Sequence, residues 1–163
     1  MTRSDHRLAR RRFFRPLLEQ LEDRRLLANI TVTGAGDTIA VDGLVTLREA
    51  ITSANNNADV NADVVTQEPY ETVGTDAIHF NIPGTGVHTI HVGETGLGAL
   101  PSITGPVIID GYTQPGSSAN TNSVESLLGS NAVLQVELDG TSAGEGVVGL
   151  TIIGGGAAQS ADW

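Results

Sequence analysis

The sequence predicts an all-β fold, a right-handed parallel β-helix of few coils with a short capping α-helix at its N-terminal end and a basic leader in front. Three observations carry that reading. Short segments rich in Ile, Val, Thr and Leu recur, "NITVTG", "DTIAVDG", "DAIHFNIPG", "HTIHVG", "GPVIIDG", "VLQVELDG" and "GLTIIGGG", and most end at Gly or Asp-Gly. Beyond residue 70 their centres lie near 79, 90, 108, 136 and 151, an irregular spacing that suits coils of unequal turn length. Asp110-Gly111 and Asp139-Gly140 lead into loop-like runs instead of returning strands, which disfavours the hairpins of a β-sandwich.

The chain divides at residue 28. Residues 1–28 hold eight Arg against four acids, whereas 29–163 hold one Arg against fifteen, and every glycine lies in this second part. The leader has no uninterrupted apolar run of about 7 to 15 residues, so it is not a conventional secretory signal. Arg15, Glu19, Glu22, Asp23, Arg24 and Arg25 break each candidate. Leu17, Leu18, Leu21 and Leu26 follow Pro16 at helical spacing.

A helix is expected over about 46 to 54. Thr46 and Glu49 form a capping box, in which the hydroxyl takes a free amide of the first turn and the carboxylate reaches back to the cap. Leu47, Ala50, Ile51 and Ala54 share one face, and Asn55, Asn56 and Asn57 tolerate the left-handed conformation that closes helices. Such a helix is a lid for the apolar cross-section of a first coil. In the body, Ile78, Phe80 and Ile82, then Ile90 and Val92, then Leu134, Val136 and Leu138, then Leu150 and Ile152 are the expected inward rungs. The polar run 112–131 is expected to hang off one corner. The sequence ends at "GGGAAQSADW" as another coil should begin, so a truncated or fragmentary chain with an uncovered last coil, open to self-association, is expected.

Two stretches resemble known motifs. "FRPLLEQLEDRRLLA" is similar to the LEPR-XLL motif at the N-terminus of large surface and secreted proteins of planctomycete-type bacteria, with Asp23 where that family has Pro. "VTLREAITSANN" resembles the CSLREA motif of bacterial surface proteins, with Val45 and Thr46 in place of Cys and Ser. "PSITGPVIIDGYTQPGS" and "LQVELDGTSAG" look like stretches that follow the CSLREA motif in those proteins. The resemblance implies a sorting or export role for 1–28, and a CSLREA-type cap followed by the first coils of a parallel β-helix for 29–163.

Candidate chemistry is sparse. Polysaccharide lyases of the β-helix group use Arg or Lys as base, and the body offers only Arg48, whose place on the helix favours a solvated side chain. Asp110 and Asp139 could act as two carboxylates on adjacent coils, but each is more simply the start of an Asp-Gly turn. His88 and His91 fall on opposite faces of a strand, which leaves His79 and His91 as the one pair able to stack into a two-ligand site. Asp59 to Asp63 alternate like half a calcium loop, yet Val64 stands where Gly is needed and Tyr70 where Glu is, so a solvated loop is favoured. No catalytic, cofactor-binding or metal-binding residue is assigned, and no cofactor is expected.

An acidic body with one cation is a poor nucleic-acid ligand. No window reaches the roughly 20 apolar residues of a membrane span. The absence of cysteine excludes disulfides and leaves the compartment open. These features, with the resemblance, point to a non-catalytic structural or adhesive protein, extracellular or on the cell surface, whose partners are surface glycans or other surface proteins. The alternative is the N-terminal part of a β-helix carbohydrate-active enzyme with its active site outside this chain.

Overall fold

A computed structural model describes residues 28–66, Tyr70, 75–153 and the backbone of 160–162. Apart from Ala28, the leader with its LEPR-XLL-like stretch lies outside the described residues, as does most of the C-terminal end expected to be uncovered. The elements are β1 (Asn29–Val32), α1 (Leu47–Asn56), β2 (Asp76–Phe80), β3 (His88–His91), β4 (Val107–Asp110), β5 (Val136–Asp139) and β6 (Ser160–Asp162). One parallel sheet has the order β1-β2-β4-β6, and a second consists of β3 and β5, also parallel.

Register explains the core. Ile30 lies opposite Ile78 and Ile78 opposite Ile109, so three buried isoleucines stack across β1, β2 and β4. Val32 lies opposite Phe80 in the same way. The buried face of α1, Leu47, Ala50 and Ile51, packs into this cluster. Burying each large aliphatic side chain contributes about 1.5–3 kcal/mol.

The helix starts at the expected cap and runs two residues past the expected end at 54, through Asn56. Thr46 is the N-cap with both halves of the capping box formed, and Asn57 closes the helix at φ 50° and ψ 41°. Four strands of the main sheet are only three to five residues long, so side chains extend the ladders. After β4 ends, Thr113 Oγ1 accepts from the Phe80 amide at 2.8 Å. Gln114 then acts as a substitute peptide: its Oε1 accepts from the Ile82 amide and its Nε2 donates to the Ile82 carbonyl, both at 2.8 Å.

The expectation of an all-β right-handed parallel β-helix is corrected. The parallel sense of pairing is present, but the described strands make two separate small sheets instead of a closed sheet or continuous solenoid. The physical reason lies in the connections. A solenoid repeats one cross-section, whereas here a helix and loops fill 33–66, and an excursion closed by Ser118 and Val133 separates β4 from β5. Segment 37–43, read as a strand, forms no ladder, and Ile39 and Val41 are exposed. Leu134 and Ile152, expected inside, are also exposed, and 150–152 contributes only an isolated bridge from Ile152 to Ile103.

Replacing Gln114 with Leu leaves the buried Ile82 amide and carbonyl without these partners. Each orphaned group costs about 1–3 kcal/mol. Urea denaturation of Gln114→Leu should show a stability loss of about 3 kcal/mol, and a loss below about 0.5 kcal/mol would show that Ile82 does not depend on this amide.

Candidate functional site

A buried polar centre lies between α1, the 33–45 connection and the turn after β3. Arg48, which begins the exposed-looking side of the helix in sequence, is buried, correcting the expected solvated side chain. Its Nε and Nη2 donate to the two oxygens of Asp37 at 2.7 and 2.8 Å, and Nη1 and Nη2 donate to the carbonyls of Ala99 and Gly98 at 2.8 and 2.9 Å. Asp37 also accepts the Gly93 amide at 2.6 Å, and its carbonyl accepts the Thr95 hydroxyl at 2.7 Å. Gly93 itself could be no other residue: it has φ +82°, and a Cβ there would lie 2.5 Å from Ala143 Cα.

Beside this centre Glu49 is equally committed. One oxygen accepts from the Ala40 amide and Asn61 Nδ2, at 2.9 and 2.6 Å, and the other from the Thr46 amide at 2.8 Å. Asp63 holds the amides of Asp42 and Gly43, while Asn61 Oδ1 takes those of Asp63 and Val64. The half calcium loop is therefore a set of side chains aimed at separate groups of the protein. Tyr70 donates its hydroxyl to Asp59 at 2.8 Å, and burial together with that carboxylate raises its ionisation well above the usual tyrosine range. Among the described residues no group of three or more His, Cys, Asp or Glu is placed to hold a metal ion.

The surface candidate is the outer face of β3 and β5. Strand register sets Thr89 opposite Glu137 and His91 opposite Asp139. The Thr89 hydroxyl donates to Glu137 at 3.0 Å, and His91 Nδ1 lies 3.0 Å from Asp139 Oδ2. The Thr141 amide at 2.9 Å and its hydroxyl hold the Asp139 carboxyl below the usual carboxylate range, with His91 adding to the effect. Asp139 thus faces His91 as an acceptor and the imidazole donates from Nδ1. Because Thr89 donates to Glu137, the hydroxyl is not aligned as a nucleophile on His91. The arrangement presents two carboxylates, an imidazole and a hydroxyl on one strip, which suits hydrogen-bonding recognition of a polar partner.

The remaining sequence candidates are placed as follows. Asp110 caps the turn Gly111–Thr113 by accepting the Tyr112 amide at 2.9 Å, and Asp139 starts its own Asp-Gly turn. The two are in different sheets, as are His79 and His91, so neither pair stacks between neighbouring strands. Sequence reasoning missed Asp37 and Gln114, whose partners are tens of residues away apart from Arg48, and Asn55, which clasps Ser102 and Thr104. Comparison with protein-family models, curated proteins and solved structures finds no match to this chain.

Removing one member of the Arg48–Asp37 pair strands a buried charge. Asp37→Asn or Arg48→Met should therefore lower unfolding stability by about 3–5 kcal/mol in denaturant titration, and a change below about 1 kcal/mol would contradict the burial. For Asp139 the folded-state carboxyl is lowered, so its contribution to stability is present above the unfolded value near 3.9 and lost as pH falls through the lower folded value. A carboxyl-carbon NMR titration should place its midpoint below about 3.9, and Thr141→Ala should move it upward. A midpoint at or above the ordinary value in the unaltered protein would remove the Thr141 clamp.

Proposed function

We propose that this chain is a non-catalytic structural or adhesive module of a secreted or cell-surface protein, related through its motifs to CSLREA-type surface proteins, with residues 1–28 as a sorting or export segment. The supporting observation is where the ionisable side chains are spent. Arg48, Asp37, Glu49 and Asp63 are engaged in tying distant backbone segments together, so they serve rigidity. At the surface, Thr89, His91, Glu137 and Asp139 form a ladder of polar groups across β3 and β5. A strip of donors and acceptors suits the hydroxyl groups of surface glycans or the polar rim of another surface protein.

Incubation with polygalacturonate, alginate or heparin should yield no unsaturated product by ultraviolet absorbance. Turnover that disappears in Asp110→Asn or Asp139→Asn would replace the adhesive reading with an enzymatic one. Residues 1–28 fused to a reporter in a planctomycete-type host should direct it out of the cytoplasm, and cytoplasmic retention would remove the export role.

A further inference from the structure

The excursion between β4 and β5 is built as a braced stalk. Ser118 and Val133 exchange two backbone hydrogen bonds of 3.0 and 2.8 Å at its neck. Above them Asn120 Oδ1 accepts from the Asn122 and Asn131 amides, Asn131 Oδ1 accepts from the Thr121 amide, and Asn122 Nδ2 donates to the Gly129 carbonyl. What this framework holds in water is apolar: Val124, Leu127 and Leu128 are 95%, 93% and 75% exposed. The 3-10 turn Val124–Ser126 puts Val124 and Leu127 three residues apart, on one edge. Leu127 sits at φ 55°, a left-handed conformation that costs a leucine roughly 1–2 kcal/mol. Val124 and Leu127 border an open hollow of about 390 Å³ with Asn120, Asn122 and Ser123. An ordered apolar tip on a strained residue is the form of a docking element.

Charge narrows the occupant. The tip carries one ionisable side chain, Glu125, and the sole cation of residues 29–163, Arg48, is already paired. The partner must therefore bring apolar groups and positive charge together. An anionic membrane would be repelled, and a second copy of the tip would set Glu125 against Glu125. Within this chain one segment has the required chemistry: residues 1–27, with eight Arg, four acids, and Phe13, Phe14, Leu17, Leu18 and Leu21. Their contour of roughly 90 Å is several times the radius of gyration of about 15 Å expected for a domain of this length. Covalent attachment supplies an effective concentration of order millimolar, far above that of a second molecule in dilute solution.

We propose that residues 1–27 dock on the Val124–Leu128 tip of the same molecule, their arginines meeting Glu125. This inference stands on the stalk and the charge division and is independent of the surface role.

The chain has no cysteine, so Gln20→Cys in the full chain accepts a single nitroxide label. The proposal expects selective broadening of the Val124, Leu127 and Leu128 methyl signals in NMR spectra, unchanged on dilution. The broadening should be lost in Glu125→Arg, in Leu127→Asn, and in about 1 M salt, where charges are screened within roughly 3 Å. Asn suits the left-handed position, so Leu127→Asn removes the apolar group while retaining the turn. Three outcomes would overturn the proposal. These are absence of broadening at the tip, equal broadening across the surface, and broadening that appears when labelled and isotope-enriched molecules are mixed but fades on dilution, which would assign the contact to a second copy. Leader-fusion export could fail while this contact persists, so the two ideas are separable.

Discussion

A guanidinium withdrawn from water dictates how the first half of this molecule is assembled. Arg48 has five donor hydrogens and no way to lose its charge, so burying it requires a carboxylate and carbonyls arranged around its plane. Asp37 provides the carboxylate in bidentate geometry and the turn at 98–99 provides the carbonyls. Asp37 in turn draws in the Gly93 amide, so α1, the connection before it and the turn after β3 meet at one ionic point. The hydrophobic cluster built around Ile30, Ile78 and Ile109 supplies non-directional cohesion, but it does not choose which loops lie beside it. The ion pair makes that choice.

The same economy recurs wherever strands are too short to satisfy their neighbours. Gln114 presents an amide with the donor and acceptor of a peptide group and completes the pairing of Ile82. Thr113 does so for Phe80, Asn55 for Thr104, and Glu49 for Ala40 and Thr46. These side chains serve as partners of backbone groups that regular structure leaves unpaired, at Ile82 in a buried setting and at Ala40 and Thr104 in an exposed one. Polar residues that resemble catalytic candidates in a linear reading are, in this setting, part of the main-chain hydrogen-bond accounting.

What was legible in the sequence was local. The capping box of Thr46 and Glu49 and the terminating Asn57 depend on residues a few positions apart, and the helix formed at that place. Strands β2 to β5 followed their apolar alternation, and the Asp-Gly turns at Asp110 and Asp139 followed from the reach of an aspartate to the amide two residues on. What failed depended on tertiary partners. Segment 37–43 has strand-like composition, but Asp37, Thr38 and Ala40 are claimed by Arg48, Thr46 and Glu49, and Ile39 and Val41 face solvent. Alternation told which face His79 and His91 occupy within a strand and was silent on which sheet each strand would join. The continuous solenoid was inferred from similar rungs, yet similarity of rungs does not make the intervening corners equal.

The burial of Arg48 also bears on resistance to proteolysis. Trypsin-like proteases cut after lysine or arginine, and they must thread several residues in extended form through the cleft. The sequence has no lysine, and every arginine other than Arg48 lies within the first 25 residues. The peptide bond after Arg48 is inside a hydrogen-bonded helix with its side chain clasped by Asp37, so cutting there requires that part of the fold to open first. Within residues 29–163, cleavage of that kind is therefore gated by the opening of a single helix.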